Sequence, residues 1–175
     1  DSVFTIEEQS SDSVTFCLRQ TPETLRQYPF RFTFRVRYAL RGWTVHVTYS
    51  VCNEDEKELP FGIGGHPGFS CPLTEEDGGF EDYSLYFDDA SGCTVSLTKD
   101  GYMNKELPKL DKLKGTNELP LKYSDFDNDA MIIEYLPKKS VKLISRVSGK
   151  GFRFSFDGFD ALGIWTPIKK NAPFI

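Results

Sequence analysis

Phe30-Arg31-Phe32-Thr33-Phe34-Arg35-Val36-Arg37-Tyr38-Ala39-Leu40-Arg41-Gly42-Trp43-Thr44-Val45-His46-Val47-Thr48-Tyr49-Ser50-Val51 reads as two strands of one long hairpin. In its first half Phe30, Phe32, Phe34, Val36 and Tyr38 alternate with Arg31, Thr33, Arg35 and Arg37. After Leu40-Arg41-Gly42, the residues Trp43, Val45, Val47, Tyr49 and Val51 alternate with Thr44, His46, Thr48 and Ser50. A period of two sends alternate side chains to opposite faces, so the pattern predicts an antiparallel pair with one apolar and one polar face. A single hairpin is marginal in water, and its apolar face is expected to pack on another sheet. His46 falls on the polar face and is read as a sheet-face histidine without a catalytic role. Arg31, Arg35 and Arg37 are read as solvated sheet surface.

The same logic extends in both directions. Residues 3–8 and 13–20 are expected to be strands; in the second, Val14, Phe16 and Leu18 alternate with Thr15, Cys17 and Arg19. Thr21-Pro22-Glu23-Thr24 supplies an N-cap, a proline at the first helical position and an acidic first turn, which predicts a short helix reaching Tyr28, stopped by Pro29. Residues 53–58 form a charged turn and residues 72–79 an acidic loop. Strands are expected at 83–87, 94–97, 131–135 and 162–165, with a second hairpin of 141–147 and 151–156 around Ser148-Gly149-Lys150. Residues 101–120, with two prolines, are expected to be a long irregular connection. Many short strands separated by turn signals, with little helix, predict an all-β, antiparallel two-sheet protein in one domain spanning 1–175.

Composition narrows the function classes. The chain has 175 residues, enough for a substantial core, and 14% of them are aromatic, which favours strands. A net charge of −5 argues against nucleic acid as a partner, since phosphate recognition needs a basic face. No apolar run approaches the length of a membrane span, and no charged stretch followed by an apolar one marks a leader. Cys17, Cys52, Cys71 and Cys93 are widely separated and form no zinc-ligand spacing. Reduced, mostly buried thiols in a cytoplasmic protein are therefore expected.

Three stretches could carry chemistry. In Phe61-Gly62-Ile63-Gly64-Gly65-His66-Pro67-Gly68-Phe69, glycines open the backbone and a proline stiffens it around one imidazole. Histidine titrates near neutrality and serves as a proton donor or acceptor; an ordinary turn with a surface histidine reads equally well. Tyr123-Ser124-Asp125-Phe126-Asp127-Asn128-Asp129-Ala130 concentrates carboxylates before a strand. Its oxygen ligands suit calcium, but it lacks the spacing and closing glutamate of an EF-hand loop; the readings are a solvated turn, a loop with one carboxylate aimed at sugar hydroxyls, and a calcium site, and no metal is assigned. In Gly163-Ile164-Trp165-Thr166-Pro167, the indole is either core or a flat face for a sugar ring. Serine-nucleophile, Walker and dinucleotide-binding signatures are absent.

Taken in order, these stretches resemble one family. Gly64-Gly65-His66-Pro67-Gly68-Phe69 is similar to the histidine segment of the aldose 1-epimerases (galactose mutarotases), especially their LacX-like branch. Phe126-Asp127-Asn128-Asp129-Ala130-Met131-Ile132 resembles that branch's Asp-Ala-Leu-Ile segment. Leu162-Gly163-Ile164-Trp165-Thr166-Pro167 and Asn171-Ala172-Pro173-Phe174 resemble its approach to the C-terminal active-site strand, and Tyr28-Pro29-Phe30 also fits. The resemblance implies a β-supersandwich of galactose mutarotase type, here incomplete, and cofactor-free interconversion of the α and β anomers of a free aldohexose. It implies that His66 is the acid at the ring oxygen and that Asp129 holds a sugar hydroxyl; beside them Trp165 is read, from its residue type, as the flat face for the sugar ring. It also implies that the family's glutamate base falls just beyond Ile175 and that an upstream sugar-binding segment precedes Asp1. The 175 residues alone are therefore expected to be deficient in catalysis. The alternatives are a non-catalytic carbohydrate-binding β-sandwich and a purely structural or interaction domain.

Overall fold

A computed structural model of the chain describes residues 2–99, 102–103 and 109–175. They belong to two compact units, Asp1–Ile63 and Gly64–Ile175.

The first unit is a four-stranded antiparallel meander in the order β1-β2-β3-β4, formed by β1 (Thr5–Gln9), β2 (Ser13–Arg19), β3 (Phe32–Arg41) and β4 (Thr44–Asn53). Helix α1 (Pro22–Gln27) joins β2 to β3. Its start is capped reciprocally: the Thr24 amide donates to the Thr21 hydroxyl, and the Thr21 amide donates to the Thr24 hydroxyl. The expected hairpin is present in full register, from Phe32 opposite Asn53 to Arg41 opposite Thr44, and Gly42 takes φ +58 in its tight turn.

The faces of the hairpin depart from the expectation of uniform cover on one side and solvent on the other. Val36 is buried on the apolar face, but Tyr38, Leu40, Trp43, Val45 and Val47 towards the tip are exposed. On the polar face Thr33 is buried: it receives a hydrogen bond from Arg19 and is bonded to Glu54. Arg35 pairs with Glu7, and Arg31 with Asp55. These arginines bridge strands and turns and are not simply solvated. His46 is exposed opposite Ala39, as expected of a sheet-face residue.

The second unit holds two four-stranded antiparallel sheets. Its strands are β5 (Tyr83–Phe87), β6 (Thr94–Lys99), β7 (Tyr102–Met103), β8 (Glu118–Pro120), β9 (Met131–Glu134), β10 (Ser140–Ser145), β11 (Gly151–Ser155) and β12 (Ala161–Ile164). One sheet runs β11-β10-β5-β8 and the other β12-β9-β6-β7. Burial alternates along β9 and β10, as a period of two demands of strands buried on one face. A single core draws Tyr83, Leu85, Phe87 and Leu143 from the first sheet and Val95, Met131, Ile133 and Ile164 from the second. The all-β, antiparallel reading is what the chain adopts. Residues 101–120 were expected to be irregular, yet they carry β7, β8 and the buried Leu113 and Leu119. Leu119 pairs with Leu85, so a three-residue strand is held by its neighbour in the sheet and not by its own sequence. Residues 104–108 of that segment lie outside the described residues. Cys17 and Cys71 are buried, Cys93 is half-buried and Cys52 is exposed, and all four are free. No helix among the described residues is long and apolar enough to cross a membrane.

The acidic loop at 72–79 contains an unforeseen structural element. Asp77 is fully buried, and its Oδ2 accepts from the Thr74 amide (3.0 Å) and hydroxyl (2.8 Å). The Ser145 hydroxyl donates to the Asp77 carbonyl at 2.7 Å, which ties the loop to the end of β10. The side chains of Ser148, Thr74 and Tyr83 around it hold the Asp77 carboxyl below its ordinary 3.8, against its burial, although its Oδ1 has no hydrogen-bond partner among the described residues. A carboxyl depressed in the folded state favours folding above its unfolded pKa, and that contribution is lost as pH falls through the folded value. Asp77→Asn is therefore expected to lower the melting temperature at neutral pH and to flatten the fall in stability below about pH 4. Thermal melts across pH test this, with Glu76→Gln, an exposed neighbour, as the unaffected control.

Candidate functional site

The three residues singled out in the sequence are brought together within the second unit. Segment 69–71 pairs with the end of the chain. The Phe69 amide donates to the Ile175 carbonyl (2.8 Å), the Ile175 amide to the Phe69 carbonyl (2.9 Å), and the Cys71 amide to the Pro173 carbonyl (3.0 Å). This short antiparallel contact, with Ser70 opposite Phe174, ties the segment that begins three residues after His66 to residues 173–175. The Tyr123 hydroxyl, donating to the Ala172 carbonyl at 3.1 Å, anchors the same segment.

Trp165 stands at the junction. Its ring centroid is 6.1 Å from that of His66 and 6.0 Å from that of Phe174, both in tilted contact. Its Nε1–H donates to Asp129 Oδ1 at 2.9 Å. The indole is half-buried, as is Asp129, and His66 is exposed. Trp165 is thus not plain core: it is half-buried, and its polar edge is engaged with a carboxylate. A buried indole normally finds such a partner.

The topology explains the meeting. β9 and β12 pair with Met131 opposite Ile164, so Asp129 and Trp165 both lie just beyond the paired ends of neighbouring strands. Asp129 has φ +108, a conformation that few non-glycine residues adopt, and its amide donates to the Phe126 carbonyl at 3.0 Å. Backbone in such regions persists only where its surroundings over-determine it, and it concentrates at functional sites. Here Phe126 is buried on one side of the turn, and on the other the Ala130 amide donates to the Thr98 hydroxyl at 2.8 Å.

The carboxylate-rich run divides along the same lines. Asp125 is ion-paired with Lys112 at 2.7 Å, and Asp129 is bonded to Trp165. The two carboxylates serve different partners, and no cluster of three or more His, Cys, Asp or Glu suited to a metal ion occurs among the described residues. Around His66, Gly62, Gly64 and Gly68 are not imposed by crowding. A Cβ at Gly62, Gly64 or Gly68 meets nothing among the described residues, and none of the three has positive φ. Thr98 and Tyr123 were missed in the sequence because their roles arise from contacts more than 30 residues away, which no local pattern records.

With this geometry in view, comparisons with known proteins agree in direction. The aldose 1-epimerase family model matches residues 1–172, which reaches both units. Protein LacX of Lactococcus lactis subsp. lactis, in plasmid and chromosomal forms, is 39% identical over 175 residues, covering 98% of this chain and 58% of each relative. The chain therefore spans a little over half the length of these curated relatives. Among solved structures, a galactose mutarotase-like protein from Lactobacillus casei ATCC 334 superposes with a TM-score of 0.83 at 28% identity, covering 98% of this chain and 58% of that one. A galactose mutarotase related enzyme from Lactobacillus acidophilus gives 0.81 at 27% identity, covering 98% and 56%. With a family match that runs over nearly its whole length, the chain belongs to the aldose 1-epimerase family.

Proposed function

We propose that the protein interconverts the α and β anomers of a free aldohexose by acid–base ring opening, with residues 1–175 forming part of one epimerase-like domain. The observation that carries this reading is the single indole of Trp165, which touches the His66 ring and holds the Asp129 carboxylate in a chain of the aldose 1-epimerase family. His66 donates its proton to the ring oxygen as the bond from that oxygen to C1 breaks. A base removes the C1 hydroxyl proton, and the electron pair left on that oxygen forms the aldehyde. Rotation about C1–C2 and reclosure on the other face, with both protons returned, give the second anomer. Asp129 accepts a hydrogen bond from a sugar hydroxyl and keeps the ring in register, and the Trp165 ring borders the sugar. The resemblance that motivates this mechanism assigns the base to a glutamate a few residues beyond the position of Ile175, so the proposal is for the whole protein.

The test is polarimetry of freshly dissolved α-galactose and α-glucose with the full-length protein. Acceleration of the optical relaxation above the buffer rate is expected. Sugar binding by calorimetry without acceleration would instead identify a carbohydrate-binding module. Trp165→Phe keeps an aromatic ring but deletes the N–H that holds Asp129. Loss of one hydrogen bond to a charged group is expected to raise the apparent KM about tenfold, with a smaller change in kcat. A parallel fall in kcat at unchanged KM would contradict the positioning of the carboxylate.

A further inference from the structure

We propose that Thr98 is a positioning residue for Asp129, its hydroxyl holding the peptide from which that carboxylate is presented. The proposal rests on the functional reading above for its consequence in sugar binding, but not for its geometry. In β6, Thr98 is 94% removed from solvent, with a relative exposure of 6%. Leu97 pairs with Met131 in the ladder between β6 and β9, so Thr98 lies opposite Ala130, where regular pairing stops. There the Thr98 amide donates to the Ala130 carbonyl at 3.0 Å, as in an antiparallel ladder. The reciprocal bond is different. The Ala130 amide donates to the Thr98 hydroxyl at 2.8 Å, and that hydroxyl donates in turn to the Ala130 carbonyl at 3.1 Å. A side chain thus stands in for the backbone group that would continue the strand.

This substitution has a direct physical effect. Ala130 stays hydrogen-bonded on both its polar groups while the chain leaves the sheet, and the next residue upstream is Asp129 at φ +108. An amide partly withdrawn from water, as in half-buried Ala130, is costly to leave without a partner. A regular ladder bond at this point would draw Asp129 back into extended geometry and away from the Trp165 indole. The hydroxyl therefore selects the turn that places Asp129 Oδ1 at 2.9 Å from Trp165 Nε1. Valine fills the same space but cannot accept from the Ala130 amide, whereas serine can.

The experiment uses the full-length protein with 15N-labelled tryptophan. The Trp165 indole resonance is assigned by its loss in Trp165→Phe. In Thr98→Val this resonance is expected to move towards that of a solvent-bonded indole and to exchange with water about tenfold or more faster, as one lost hydrogen bond implies. The apparent KM for the sugar is expected to rise about tenfold with a smaller change in kcat, and Thr98→Ser should restore both. An unmoved Trp165 resonance in a folded Thr98→Val would overturn the proposal, as would Thr98→Ser behaving like Thr98→Val. Should Thr98→Val fail to fold, Thr98→Ala takes its place. Failure of both to fold also overturns the proposal, because the hydroxyl would then serve the fold and not the carboxylate. If the wild-type protein exchanges no anomers, the functional reading falls while the indole signal still decides the role of Thr98.

Discussion

On the proposed mechanism, replacing His66 with alanine in the full-length protein is expected to slow anomer exchange about 10²–10⁴-fold, the range a positioned general acid contributes. The leaving ring oxygen becomes an alkoxide unless it is protonated as the bond breaks, and at neutral pH water is a poor proton source for it. A positioned imidazole hands its proton to that oxygen and takes it back on reclosure. The same substitution should leave stability within about 0.5 kcal/mol, because His66 is exposed and its loss opens no cavity. That separation makes the experiment informative. Polarimetric rates measured beside thermal melts distinguish a chemical role from a folding defect. Rates equal to wild type would remove His66 from the mechanism. A fall in rate with an equal fall in stability would make it a structural residue.

The second large effect is expected at Phe126, which links the core to the site. Its side chain is 1% exposed and packs edge-on to Phe80 with ring centroids 6.2 Å apart, while its carbonyl accepts the Asp129 amide. Truncation to alanine leaves a cavity that the surrounding core only partly fills, at a cost of about 3–5 kcal/mol. For a chain of this size the melting temperature should fall by roughly 6–20 °C. Because the backbone at Asp129 takes an uncommon conformation held partly by this packing, sugar affinity should fall in Phe126→Ala even well below the melting temperature. Lys114→Ala, which breaks an exposed pair with Asp111, should change stability by less than about 0.5 kcal/mol. Calorimetry of both variants checks the contrast. A Phe126→Ala variant with an unaltered melt would show that this aromatic is not core.

Much of the architecture could be read locally. Alternation along β3 and β4 predicted their pairing, Gly42 marked the turn, and Thr21-Pro22-Glu23-Thr24 marked the start of α1. These signals are legible because strand faces, tight turns and helix caps depend on residues a few positions apart. β8 was not legible, because three residues with a proline have no period and their order comes from pairing with β5. The burial of Asp77 was hidden for a similar reason: a run of acidic residues reads as solvated loop unless the distant partners Ser145 and Ser148 are known.

By itself the sequence determined the strand content, the main hairpins and the three stretches worth testing, since periodicity, glycine, proline and isolated polar groups act over short range. Only the tertiary structure decided that Trp165 bonds to Asp129 while lying against His66, and that Thr98 ends the ladder beside them. Those contacts join positions 32 to 99 residues apart, and their geometry is set by sheet register and packing, which the order of residues along the chain does not record.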